Sequence, residues 1–237
     1  MEAANAQTVF SSQRTLEAPT FVLPPELVPN TRLQMDGLHF LSLLPPDSIP
    51  VAFFDPQYRG VLDKLSYGNE GKSRGKRRSA LLQMSEKIIA KFLQGIDRAL
   101  IPSGHLFLWM DKFHLCQGFT HWLAGTRLDV VDMIVWDKGR MGMGYRTRRQ
   151  SEYCIVLQKQ PRRAKGVWKL HNIPDVWQEK KPSNGFAHSK PVELQARLIA
   201  AVSDEGDMIM DPAAGSFSVM RASLDVGREF LGCDILV

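Results

Sequence analysis

The stretch Val51-Ala52-Phe53-Phe54-Asp55-Pro56-Gln57-Tyr58 decides the fold. Four consecutive apolar residues fit a strand buried on both faces, as in a parallel sheet flanked by helices. Asp55-Pro56 stops it, because proline has no N–H to give the ladder. A carboxylate, a carbonyl held by proline and an aromatic ring are thereby gathered just past the carboxyl end of a strand. In open α/β sheets ligands bind at that edge.

On the amino-terminal side, Thr31 to Met35 reads as a short strand ending at Asp36. Leu38, Leu41 and Leu44 then recur at helical spacing until Pro45-Pro46 stops the helix. Asp36 has two readings: an acid at a strand end beside a ligand, or the cap of the helix after it. Residues 1–30 are polar and then punctuated by Pro19, Pro24, Pro25 and Pro29, which predicts an extended arm.

On the carboxyl side, residues 59–78 have no apolar period. Gly60, Gly68, Gly71 and Gly75 alternate with Lys72, Arg74, Lys76, Arg77 and Arg78. A glycine-rich basic loop after a strand end suits phosphate contact, and a solvated charge run is the other reading. Leu81, Met84, Ile88, Phe92 and Ile96 predict a helix over 80–100, and after a turn at 102–104 His105 to Met110 predicts a strand ending at Asp111. A helix is expected over 113–125; its His114 and His121 lack the acidic or cysteine partners that a metal needs.

Leu128 to Trp136 predicts the next strand. A second basic loop follows it, with Arg140, Tyr145, Arg146, Arg148 and Arg149. Residues 152–158 are expected to return antiparallel, at the edge of the sheet. Residues 159–188 are rich in Lys, Arg and Pro. They are too long for an ordinary connection: either a target-reading segment or a flap packing Trp168 and Trp177 on the core.

Pro191 to Val202 predicts a helix and 207–210 a strand. That strand ends in Asp211-Pro212-Ala213-Ala214-Gly215-Ser216-Phe217. A helix over 219–226 and a closing strand to Asp234 complete the chain. Strand, small-residue turn, helix, strand and acid is an arrangement that binds nucleotide-like ligands. The small residue admits the ligand, the helix start offers N–H groups and the acid holds ribose hydroxyls. The turn does not match G-x-G-x-x-G, so no dinucleotide fold is read from it.

A chain of 237 residues, 44% hydrophobic, is the size of one α/β domain. Its net charge of +5 is compatible with an anionic partner. Cys116, Cys154 and Cys233 form no C-x-x-C pair, which argues against a disulfide framework or zinc site and fits a reducing cytoplasm. No secretory signal or membrane-spanning run is read, so a soluble cytoplasmic protein with no membrane partner is expected.

Asp55-Pro56-Gln57-Tyr58 resembles the catalytic tetrapeptide, usually Asp-Pro-Pro-Tyr, of the amino-group DNA methyltransferases. His188-Ser189-Lys190-Pro191, Asp211-Pro212-x-x-Gly215-Ser216 and Gly232-x-Asp234 resemble their cofactor half. Tetrapeptide first and cofactor motif last is the permuted order of the β class, and the resemblance runs from Leu33 to Asp234. It implies a Rossmann-like methyltransferase fold: α/β, with a mostly parallel doubly wound sheet and an antiparallel edge strand. Residues 31–237 would form one domain, with a catalytic half (31–158), a candidate target-recognition insertion (159–188) and a cofactor half (189–237).

The resemblance assigns catalysis to Asp55, Pro56 and Tyr58. S-adenosylmethionine would be held by Asp36, Ser189, Lys190, Asp211, Ala213, Gly215, Ser216, Phe217 and Asp234. Double-stranded DNA would be held by the two basic loops. No metal is required, and dimers occur in the family. An aspartate-headed tetrapeptide more often accompanies adenine N6 methylation. Cytosine N4 and RNA adenine are the alternatives within the class, and a silent nucleic-acid-binding module of the same fold is the alternative outside it. Gln57 replaces a proline, Ala213 a phenylalanine and Phe217 a glycine of the family pattern, changes that bear on cofactor affinity and turnover more than on fold.

Overall fold

Strand β2, Ile49–Phe54, is buried at all six residues because helices cover both sides of it. Ala52 and Phe54 pack with Phe40, Ile89 and Phe92 on one face. Val51 and Phe53 pack with Leu194, Leu198 and Val219 on the other. The continuous apolar run is thus an alternation between two cores. The computed structural model describes residues 16, 19–57, 83–142, 146–180 and 189–236.

Around β2 stand β1 (Leu33–Gln34), β3 (Leu100–Met110), β4 (Leu128–Asp137), β5 (Ser151–Lys159), β6 (Val176–Gln178), β7 (Met208–Asp211) and β8 (Glu229–Asp234). Their order in the sheet is β1-β8-β7-β2-β3-β5-β4-β6. β5 is antiparallel to both of its neighbours, β3 and β4, and every other pairing is parallel. The antiparallel strand expected at the edge is therefore interior, because β4 and β6 add beyond it.

Helices α1 (Gly37–Leu43) and α2 (Glu86–Ala99) contribute to the first core. Helices α4 (Val192–Val202) and α5 (Ser218–Asp225) contribute to the second. α2 starts at Glu86, where the Ser85 hydroxyl accepts the Ile88 N–H at 3.3 Å. Leu100 to Met110 is one strand, but it is irregular where the turn is expected: its register against β2 shifts between Leu100 and His105, and Ser103 enters the left-handed region (φ 66°). The helix expected over 113–125 is split into α3 (Lys112–Gln117) and a 3-10 turn at Thr120–Leu123. Gly118, at φ 87°, makes the break.

The end of the amino-terminal arm is packed rather than loose. Leu27 is buried in the first core. Asn30 brackets Phe230 of β8: its side chain accepts the Phe230 N–H, and its own N–H donates to the Phe230 carbonyl, both at 2.8 Å. Across the sheet, the buried Lys159 ammonium reaches Asp47 Oδ1 at 2.6 Å and the carbonyls of Asp97 and Leu100 at 2.5 Å. It thereby fastens the end of β5 to the end of α2. No helix among the described residues is long and apolar enough to cross a membrane.

Candidate active site

Because the strands other than β5 run one way, their carboxyl ends form one edge of the sheet. Asp234, Asp211, Asp55, Asp111 and Asp137 stand at the ends of β8, β7, β2, β3 and β4 along it. Glu152 joins them from the start of the reversed β5. Among the described residues no group of three or more His, Cys, Asp or Glu side chains is placed to hold a metal ion.

At the centre of this edge lies a chain of alternating charge. Lys190 Nζ is 2.6 Å from Asp55 Oδ2 and 3.0 Å from Glu152 Oε2. Glu152 Oε1 is 2.6 Å from Lys138 Nζ. The Lys190 and Lys138 ammonium groups each lie 5.4 Å from an indole centroid, of Trp109 and Trp136 respectively. Burial disfavours the Glu152 charge, but Lys190 and Lys138 together outweigh it and hold the carboxyl down to about 2. For Lys190, burial works against the ammonium, and Asp55 and then Glu152 reverse it, raising its pKa well above that of an ordinary lysine. Lys190 is thus tied to Asp55 as well as to Glu152.

The chain lines a cavity of about 410 Å³ walled also by Pro56, Gln57, Asp111, Lys112, Thr147 and Arg149. The Gln57 carbonyl accepts the Met84 N–H at 2.6 Å, anchoring the turn after β2. Tyr58, the loop residues Lys72, Arg74, Lys76, Arg77 and Arg78, and Tyr145 lie outside the described residues. Of the second basic loop, Arg140, Arg146 and Arg148 are exposed. Arg149 is spent on structure: its guanidinium lies 3.9 Å from Asp111 and 5.3 Å from the Phe113 ring centroid. Asp111 caps α3 through the Phe113 and His114 N–H groups and binds the His114 ring at 2.8 Å.

On the other side of Asp55 lies the turn after β7. Val51 and Ala52 pair with Ile209 and Met210, which places Asp55 and Asp211 at neighbouring strand ends. A small cleft of about 30 Å³ is lined by Asp55, Trp109, Lys190, Asp211, Ala213 and Ser216, among others. Asp211 is buried, its carboxyl pKa raised by desolvation, and Ala213 N–H donates to it at 3.1 Å. Gly215, at φ 51°, gives its N–H to Asp234 Oδ2 at 2.9 Å, and nothing stands within 4 Å of where its side chain would be. Open space over a small-residue backbone, bounded by an acid at the next strand end, fits a nucleoside-bearing cofactor. Ser189 is buried beside Lys190.

Asp36 caps α1, accepting the Leu38 and His39 N–H groups at 3.0 and 2.9 Å. The start of α1 also presses on the cofactor turn, since a side chain at Gly37 would meet the Pro212 carbonyl at 2.2 Å. Phe217 offers no aromatic surface to the cleft. It is buried with its ring edge-on to Phe230 and the Arg32 guanidinium 5.4 Å from its centroid. Its φ of 56° explains why glycine suits the position.

Glu152, Lys138 and Glu179 were not singled out in the sequence. The Glu179 carboxylate accepts the N–H groups of Glu193 and Leu194 at 3.1 and 3.0 Å, supplying the cap that Pro191 lacks at the start of α4. Segment 159–180 is thus coupled to the helix that follows Lys190. Trp177 donates its indole N–H to Glu179 and packs on the second core, as does Trp168.

Residues 53–236 match the profile of a family described as DNA methylase. The chain is 55% identical over 208 residues to the type II methyltransferase M.HhaII of Haemophilus parahaemolyticus, covering 87% of this chain and 91% of that protein. The solved structure of the PvuII DNA methyltransferase, cytosine-N4-specific, superposes with a TM-score of 0.65 at 12% identity, covering 86% of this chain and 81% of that one. The M1.HpyAVI–SAM complex superposes with a TM-score of 0.58 at 14% identity, covering 85% and 90%.

Proposed function

The chain belongs to the DNA methylase family, and on that premise we propose that it transfers a methyl group from S-adenosylmethionine to the N6 amine of an adenine flipped out of double-stranded DNA. The family's cofactor is S-adenosylmethionine. When bound, it supplies an electrophilic methyl group on a sulfonium sulfur.

The observation that carries the reading is the junction of β2 and β7. It brings Asp55, Pro56 and the small-residue turn 211–216 to one place on the sheet edge. An exocyclic amine is a poor nucleophile because its lone pair is delocalised into the ring. Asp55 and the Pro56 carbonyl accept its two N–H bonds and stabilise the positive charge that develops on nitrogen. The turn at 211–216 and Asp234 would hold the cofactor against the amine that Asp55 and Pro56 orient. The amine is inaccessible within a duplex, so the base leaves the stack; Tyr58 supplies the ring on which it rests. The 410 Å³ cavity beside Asp55 has room for a base; Arg148 in its wall and Arg146, two residues earlier in the chain, are exposed and would meet phosphates.

Adenine is favoured over cytosine by the aspartate that heads the tetrapeptide. The test is transfer of labelled methyl from S-adenosylmethionine to unmethylated duplex DNA, with nucleoside analysis, for the wild type and Asp55→Ala. Label in N6-methyladenine, lost in the variant, is expected. Label in N4-methylcytosine would keep the mechanism and change the base, and binding of cofactor without transfer to DNA or RNA would leave a silent binding module.

A further inference from the structure

We propose that Glu152 is a positioning residue for methyl transfer, holding Lys190 where its ammonium engages Asp55, with Lys138 balancing the charge that Glu152 brings. The inference rests on the reading of Asp55 as the acceptor of the substrate amine.

Lys190 follows a buried Ser189 and precedes α4, so its backbone alone leaves a long side chain free to swing. Two carboxylates from different strands remove that freedom. Glu152 from β5 and Asp55 from β2 take the same Nζ at 3.0 and 2.6 Å. The Trp109 ring, from the strand between them, lies 5.4 Å beneath it. Asp211, at the end of β7, lines the same cleft as Lys190. With the Asp55 and Glu152 carboxylates against it, Lys190 stays charged.

Glu152 sits in the wall of the larger cavity, and Lys190 lines both this cavity and the cleft at the cofactor turn. Lys190 is thus held by Glu152 and Asp55 between the two spaces. Removing Glu152 leaves Asp55 as its one ion-pair partner among the described residues, and the ammonium moves. A displacement of about 1 Å at a reacting centre lowers turnover by about 100-fold. Lys138 meets Glu152 from the end of β4 and prevents a second buried negative charge from accumulating beside Asp55.

The test compares the wild type with Glu152→Ala and Glu152→Gln, each checked for a native melting transition. S-adenosylmethionine affinity is measured directly and single-turnover methyl transfer to duplex DNA is followed across pH. For Glu152→Ala we expect a turnover loss of about 100-fold with cofactor affinity within about threefold of wild type. Glu152→Gln keeps an oxygen for Lys190 and should recover part of that loss. Turnover within about twofold of wild type, or a loss explained wholly by weakened cofactor binding, overturns the proposal. The Lys190 Nζ resonance, read by NMR at neutral pH, decides the pairing independently of turnover. A wild type that binds cofactor but methylates no nucleic acid sinks the reading of the reaction. An unchanged Lys190 Nζ resonance in Glu152→Gln sinks this inference.

Discussion

The Glu179 carboxylate accepts the Leu194 N–H at 3.0 Å, so a residue just past the end of β6 caps the helix that leads away from Lys190. Pro191 can neither donate nor cap with its side chain, and Glu179 does both jobs of an N-terminal anion: it satisfies two N–H groups and faces the positive end of the helix. Glu179→Ala should cost about 1 kcal/mol of stability in urea unfolding and lower methyl-transfer turnover, whereas Glu179→Gln should retain more of both. Equal turnover for wild type and Glu179→Ala would show that Lys190 is placed without this cap.

Lys159 fastens α2 to β5 from a fully buried position far from the cofactor turn. Lys159→Met leaves two helix-end carbonyls without their cation and Asp47 with only the longer contact to Arg127, at 3.8 Å. A stability loss of about 3 kcal/mol is expected, with S-adenosylmethionine affinity at low temperature unchanged. Denaturant midpoints and calorimetric binding check the two halves of that statement separately.

Phe217 occupies a left-handed backbone position and a buried site at once. Glycine there relieves about 1 kcal/mol of backbone strain but deletes a buried phenyl ring worth about 3–5 kcal/mol. Phe217→Gly is therefore expected to lower stability by about 2–4 kcal/mol even though it restores the family residue. A rise in the melting temperature would mean that strain outweighs burial.

Burial lowers the His105 pKa to about 4 from 6.5. A folded-state pKa below the unfolded one means that this histidine's contribution is complete above pH 6.5 and is lost as pH falls toward 4. Glu152 acts in a lower window, from 4.5 down to about 2. His105→Asn should flatten the stability profile between pH 6.5 and 4, and Glu152→Gln should flatten it only below that. Urea midpoints measured at half-unit steps of pH resolve the two windows.

Arg146 and Arg148 are exposed, and Arg149 is engaged by Asp111 and Phe113. If the first two meet DNA phosphates, Arg146→Ala and Arg148→Ala should each reduce the slope of log affinity against log salt by about 1. Arg149→Ala should instead loosen the segment around it. Identical salt slopes for all three variants and the wild type would remove this loop from the DNA interface.

What the sequence made legible was chemistry carried by neighbours in the chain. The apolar run before Asp55, the turn after Asp211 and the acid after Gly232 each announce a strand end by local pattern, and the structure sets all three on one edge. Glu152 and Lys138 were illegible for the opposite reason. Each is an ordinary charged residue beside a strand, and its role exists only once β5 lies between β3 and β4. The place of β5 was itself misjudged because β4 and β6, which cover it, take their positions from tertiary pairing. Phe217 could be flagged as a departure, but only its backbone angle and its contact with Phe230 show that it serves the core.

Leu33 of β1 lies beside Cys233 of β8, in parallel register. The two extremes of the fold therefore meet as adjacent strands, and the order in which the halves are threaded does not determine how the site is assembled. A linker from the last strand back to the first, with new ends opened in the exposed turn at 162–165, would put the cofactor half first and the acceptor half second. The same edge would be rebuilt from a chain read from a different starting point.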